Sequence, residues 1–205
     1  MEPLNLAPNI SIRQAIPADR AALLNVCLRT GNSGLDGTDL FFDPEILGNV
    51  YVAPYLDFSP EFSYAIVAPE PCGYLLAALD TTEFESLLAR EYWPKLQGRY
   101  EFAHPHFKPS DLEIFFMIHN PELAPKAIKE KYPSHMHIDL LPKIQGQGIG
   151  GRIIRMLLDQ LKAAGSTGVH LSVGMKNERA QAIYRKLGFV DLEQSGDALY
   201  MGLLL

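Results

Sequence analysis

Cysteine is scarce in this chain: Cys27 and Cys72 stand alone among 205 residues. Neither has a His or a second Cys at metal-ligand spacing, so a disulfide framework and a zinc site are both excluded, no metal is expected, and the pair reads as reduced core thiols. No apolar run approaches the roughly eighteen residues that a membrane span needs. The opening "MEPLNLAPNISIRQA" lacks a basic segment followed by an apolar one and is not a signal peptide. A cytoplasmic address without a membrane partner is the resulting expectation. Internal repeats and low-complexity tracts are missing as well. Lys and Arg are absent from Thr30 to Ala89, a stretch that carries ten acids, Asp36, Asp39, Asp57 and Asp80 among them.

What is present suits a globular protein with a sizeable core: 47 % hydrophobic and 20 % charged residues in a length that suggests one domain, 1–205, with a large insertion. The net charge of −6 is unevenly spread, because Lys126 to Lys186 holds eleven basic residues against four acidic ones. Such asymmetry suits partners of opposite sign: a polyanion on the basic half and a cation on the acidic half. An acidic chain whose basic residues surround one turn is not expected to bind nucleic acid.

"NISIRQAI" alternates and predicts a strand; Pro17 then opens a helix with Ala21, Leu24 and Leu28 on one stripe. "TGNSGLDGTDLFFDP" reads as a loop, followed by a short helix around 44–50. "FSYAIVA" and "CGYLLAALD" predict paired strands. "TEFESLLAREYWPKL" predicts a helix ended by Pro94. Residues 99–132 are punctuated by prolines and stay ambiguous: Ser110 and Glu113 have capping-box spacing, yet Ile114–Ile118 equally suits a buried strand. "HMHIDLL" is a strand, "GIGGRIIRMLLDQLKAAG" a helix stopped by Gly165, "GVHLSV" a strand, and "NERAQAIYRKLG" a helix between Asn177 and Gly188. "FVDLEQ" and "ALYMGLLL" are closing strands.

The stretch "QGQGIGG", Gln145 to Gly151, lies between a strand and a helix. The first amides of a helix lack internal partners and sit at the positive end of its dipole, so a phosphate can bind there if no Cβ obstructs it. Gly146, Gly148, Gly150 and Gly151 remove those obstructions, and Lys143 and Arg152 add charge. The Walker pattern fails for want of a following Lys-Ser or Lys-Thr. The dinucleotide fingerprint is matched by Gly146, Gly148 and Gly151, but "GVHLSVGM" ends without the required acid.

Two motifs on the right elements resemble the GCN5-related N-acetyltransferase (GNAT) superfamily. One is Q-x-x-G-x-G, here Gln145, Gly148 and Gly150 after Pro142. The other is N-x-x-A-x-x-x-Y-x-x-x-G-F, here Asn177, Ala180, Tyr184, Gly188 and Phe189. More narrowly, "YPSHMHIDLLP" and "LKAAGSTGV" resemble the acetyltransferase-like domain of O-GlcNAcases and its free-standing bacterial relatives. The resemblance implies an α/β (α+β) fold: a mixed, mostly antiparallel sheet, splayed parallel central strands, and helices on both faces. Residues 80–134 would be a helical or loop insertion before the central strand. It implies acetyl-CoA, with pyrophosphate on the backbone of Gln145, Gly146, Gln147, Gly148, Ile149, Gly150, Gly151 and Arg152, and with Asn177 and Tyr184 also at the cofactor. Pantetheine would pair near Leu140 and Leu141, one of whose amides would face the thioester oxygen. Tyr184 matches the family's proton donor. Period-two alternation puts His135, His137 and Asp139 on one face, which makes Asp139 the first and His137 the second candidate base. The expected acceptor is a cationic amine (a polyamine, an aminoglycoside-like amine or a lysine side chain) met by Asp36, Asp39, Asp57 and Asp80, and the family often forms homodimers. A non-catalytic acyl-CoA-binding module is the alternative.

Overall fold

A computed structural model describes residues 4–205. The chain runs β1 (Leu4–Ala7), β2 (Ile10–Gln14), α1 (Arg20–Leu28), α2 (Ile46–Tyr51), α3 (Ala53–Phe58), β3 (Ser63–Val67) and β4 (Pro71–Ala78). The inserted helices α4 (Thr81–Glu91), α5 (Trp93–Arg99), α6 (Pro109–His119) and α7 (Lys126–Lys131) follow. Then come β5 (Ser134–Leu140), α8 (Ile149–Ala163), β6 (Gly168–Gly174), α9 (Glu178–Lys186), β7 (Val190–Ser195) and β8 (Ala198–Leu204).

The strands form one eight-stranded sheet in the order β1-β2-β3-β4-β5-β6-β8-β7, antiparallel throughout except for the parallel pair β5–β6 at its centre. β4 is buried from Cys72 to Ala78, as expected of a strand covered on both faces. α8 buries Ile149, Ile153, Ile154, Leu157, Leu158 and Leu161 against the sheet, a repeat close to 3.6 residues, and ends at Gly165 in the left-handed region. Among the described residues, no helix is long and apolar enough to cross a membrane.

Two expectations are corrected by the fold, and the open reading of Ile114–Ile118 is resolved. Pro94 does not end a helix: it occupies the first turn of α5, where its missing N–H costs nothing, and the break falls two residues earlier at Tyr92. Ile114–Ile118 is helical, within α6. That helix starts at Pro109, and the reciprocal contact at its start comes from Asp111, not from the Ser110–Glu113 pair. The fully buried Asp111 carboxylate accepts from the Lys108 amide at 2.8 Å and from the amides of Phe42 and Asp43 at 2.8 and 3.0 Å. It thereby fastens the insertion to the loop after α1. The edge strand β1 and the helix α3 carry too few residues for a periodic signal, and sequence reasoning missed both.

Candidate active site

After a tight turn at Pro142–Ile144 the backbone extends at Gln145 and adopts positive φ at Gly146 (75°) and Gly148 (72°), the latter capping α8. Only glycine enters that region without strain. A Cβ at either position would meet no heavy atom within 4 Å, so the space over the turn is open. Among the described residues, the amides from Gly146 to Gly151 have no acceptor; the ladder resumes with the Arg152 amide on the Gly148 carbonyl at 3.3 Å. Free amides, no intruding Cβ and a helix dipole fit a diphosphate. Gln145 is a brace rather than a free ligand. Its Nε2 donates to the Leu140 carbonyl at 2.6 Å, and its Oε1 accepts from Arg179 at 2.8 Å. Gln147 donates to the Lys143 carbonyl at 3.3 Å, and the Arg152 side chain donates to the Leu6 carbonyl. Arg152 therefore contributes charge near the turn while its guanidinium is engaged on the sheet edge. Asn177 caps α9 by accepting from the Ala180 amide at 3.2 Å.

β5 and β6 pair only at Ser134↔Val169 and His135↔His170, and separate beyond them. The Leu141 amide donates to the Cys72 carbonyl at 2.9 Å, in phase with the β4–β5 register Gly73↔Leu140. Antiparallel alternation then turns the main-chain groups of Asp139 and His137 toward β4 and those of Ile138 and Leu140 toward the gap. Of the two amides expected near the thioester, Leu141 is committed to β4 and Leu140 alone faces the opening.

His135, His137 and Asp139 do share one face of β5, together with Tyr74, the cross-strand partner of Asp139. The Tyr74 hydroxyl donates to Asp139. His137 Nδ1 lies 3.1 Å from the Tyr51 carbonyl and so carries a hydrogen; its Nε2 lies 3.3 Å from Asp139 Oδ2. Burial opposes charge on this ring, but the hydrogen bond and charge of Asp139, with the Tyr51 carbonyl, outweigh it and raise its pKa. His135 is the opposite case. Burial, then the neighbouring His170 and His137, hold it down to about 3, and as a neutral ring it joins Thr81 to Tyr55 at 2.8 Å on each side. Tyr184 is 9 % exposed, packs against Phe189, and has its pKa raised by burial and then by the charge of Asp139. Its hydroxyl takes no hydrogen bond from the described residues, whereas Tyr51, Tyr55, Tyr74, Tyr92 and Tyr100 all engage theirs.

Residues 58–189 match the acetyltransferase (GNAT) family. The chain belongs to that family. It is 34 % identical to SsHAT, whose solved structure overlays with a TM-score of 0.86 over 95 % of this chain and 98 % of that one. PH1933 from Pyrococcus horikoshii OT3 shares the fold at 17 % identity, with a TM-score of 0.60 over 96 % and 98 % of the two chains. Protein O-GlcNAcase of Rattus norvegicus is 25 % identical over 185 residues, 89 % of this chain. The chain spans about a fifth of the length of the curated relatives it matches. Membership makes this GNAT protein an acyltransferase, an N-acetyltransferase, with acetyl-CoA as donor, and the open amide turn is consistent with that donor.

A cavity of about 440 Å³ in this acetyltransferase is bounded by His135–His137 of β5, by His170–Ser172 of β6, and by the insertion. The four acids assigned to the acceptor do not converge on it. Asp57 forms a two-bond ion pair with Arg20, at 2.6 and 3.1 Å. Asp80 caps α4 through the Glu83 amide, and Asp36 closes its own loop through Thr38. Asp39 sits beside Lys108, which donates to its carbonyl at 2.9 Å. None of the four lines the cavity; the acids that do are Glu85 and Glu122. Glu85 is held by Lys129 and by the Ala124 amide. Sequence reasoning missed Tyr74 and Glu122, since neither falls in a motif and only strand register or loop packing brings them near β5.

Proposed function

We propose that this enzyme transfers acetyl from acetyl-CoA to a primary amine by direct attack, with Tyr184 as general acid and Asp139, partnered by His137, as general base. The unengaged hydroxyl of Tyr184, within electrostatic reach of Asp139, carries the reading. A raised phenol pKa keeps that proton in place near neutrality, the form from which an acid must start. The Leu140 amide, turned to the gap, is the oxyanion donor of this reading.

The amine nitrogen sheds two protons in all. One goes to the Asp139–His137 pair and on to solvent; the other replaces the proton that Tyr184 gives to the departing thiolate. The C–N bond forms as the carbonyl π bond opens to the oxyanion, and the C–S bond breaks as the carbonyl re-forms. His137 stays oriented because Tyr51 fixes its Nδ1 hydrogen, and Tyr74 holds the Asp139 carboxylate from the side. An acceptor that is cationic in solution fits a site that needs a base before attack. The test is thiol release from acetyl-CoA by wild type and Tyr184→Phe over a panel of amines, with calorimetric binding of CoA to both. A Tyr184→Phe enzyme of undiminished kcat would overturn the assignment.

A further inference from the structure

The cavity beside β5 has the wrong walls for a highly charged acceptor. Tyr51, Tyr55, Phe84, Trp93, Met117 and Tyr200 all line it. Their polar ends are already engaged where the interior needs it: the Tyr51 hydroxyl contacts the Met117 sulfur at 3.3 Å, and the Tyr55 hydroxyl pairs with His135 at 2.8 Å. Aromatic rings and a thioether beside few polar groups make an apolar lining that can still attract a cation through the ring quadrupole. Of its two lining carboxylates, Glu85 is neutralised by Lys129. Glu122 is exposed, has no partner among the described residues, and lies close enough to Tyr200 to raise its phenol pKa, after burial. A polyamine or an aminoglycoside would bring several ammonium groups to a space with one unpaired acid at its side.

We infer that the acceptor is a monoamine on a compact aromatic or apolar body, the body held among the rings of α2, α3, the insertion and β8 and the amine directed to His137, which joins Asp139. This deepens the proposed acetyl transfer and rests on it for the reaction, but not for the binding. The volume of about 440 Å³ lies within the range of small-molecule pockets, which are mostly apolar with a few placed polar groups. Glu122 draws the cation in, and the insertion sets specificity by furnishing Phe84, Trp93 and Met117.

Trp93 is the sole tryptophan of the chain and lines this cavity, so its emission reports occupancy without turnover. The full-length protein is titrated with phenethylamine, with spermidine and with kanamycin, and thiol release is followed with the same three amines. The expected result is a saturable change in Trp93 emission with phenethylamine, and a kcat/KM at least about tenfold above that for spermidine or kanamycin, a factor of ten being about 1.4 kcal/mol. Glu122→Gln, at an exposed position, is expected to weaken phenethylamine about fivefold and to leave the neutral analogue 2-phenylethanol unchanged. Turnover of spermidine with Trp93 silent toward phenethylamine overturns the inference while leaving acetyl transfer standing. Saturable phenethylamine binding without thiol release from any amine supports the pocket and sinks the transfer reading instead.

Discussion

The turn at Gly146–Gly151 offers main-chain amides from one unbroken stretch, whereas the cavity across the sheet collects side chains from α2 through β8. On the donor side the recognition element is backbone, and the side chains nearby, Gln145 above all, act as braces. Around the cavity the backbone is spent on helices and strands, and what lines it is rings from α2, α3, the insertion and β8 with the Glu122 carboxylate. Backbone recognition tolerates little change in conformation and much change in neighbouring side chains; side-chain recognition does the reverse. A family can therefore keep one donor while its members diverge in acceptor.

Substitutions can separate the two sides. The largest effect is expected where they meet: Tyr184→Phe should lower kcat by about 10²–10⁴-fold, the range for loss of a general acid, while CoA binding measured by calorimetry shifts less than about threefold. Next, Gly148→Val forces a β-branched residue to a φ of 72° and puts atoms over the free amides. The strain, about 1–3 kcal/mol, should lower the melting temperature by several degrees, and lost amide hydrogen bonds of about 2–3 kcal/mol should weaken acetyl-CoA by roughly 100-fold. Asp111→Ala strikes the acceptor side alone. Three amides lose a buried carboxylate, so urea unfolding should show a loss of about 3 kcal/mol, with acetyl-CoA affinity at permissive temperature within about twofold of wild type. An equal loss of acetyl-CoA affinity would erase the distinction between the two sides.

The smallest effect is in pH dependence. His135 is held at about 3 in the fold against 6.5 for the free side chain, so the unfolded chain takes up its proton first. Its contribution to stability is whole above pH 6.5 and declines as the pH falls toward 3. His137, with a raised pKa, behaves oppositely: its contribution is whole below 6.5 and fades as the pH climbs through the folded value. Melting temperatures between pH 4 and 6.5 should thus fall less steeply for His135→Gln than for wild type. Parallel slopes would show that His135 does not govern the acid limb.

Legibility followed the same division. The helix start at Gly148, the cap at Asn177 and the common face of His135, His137 and Asp139 depend on neighbours a few residues away, and all could be read along the chain. Pro94 misled because proline looks alike at the end of one helix and the start of the next. Ile114–Ile118 stayed ambiguous because a short apolar run suits a strand or a buried helix until a partner is known. That the four acids lie apart from the cavity has a different reason: charge density shows how many carboxylates a segment carries, not which of them are already engaged.

The sequence by itself determined the strands and helices of the C-terminal third and the glycine turn before α8, because left-handed glycines, caps and hydrophobic period act over a few residues of chain. The tertiary structure decided that Asp57 pairs with Arg20, that Tyr74 meets Asp139, that Leu140 and not Leu141 faces the gap, and that aromatic rings line the cavity beside β5. Those outcomes depend on strand register and on contacts between distant segments, and no local pattern encodes which of several chemically equal partners will arrive.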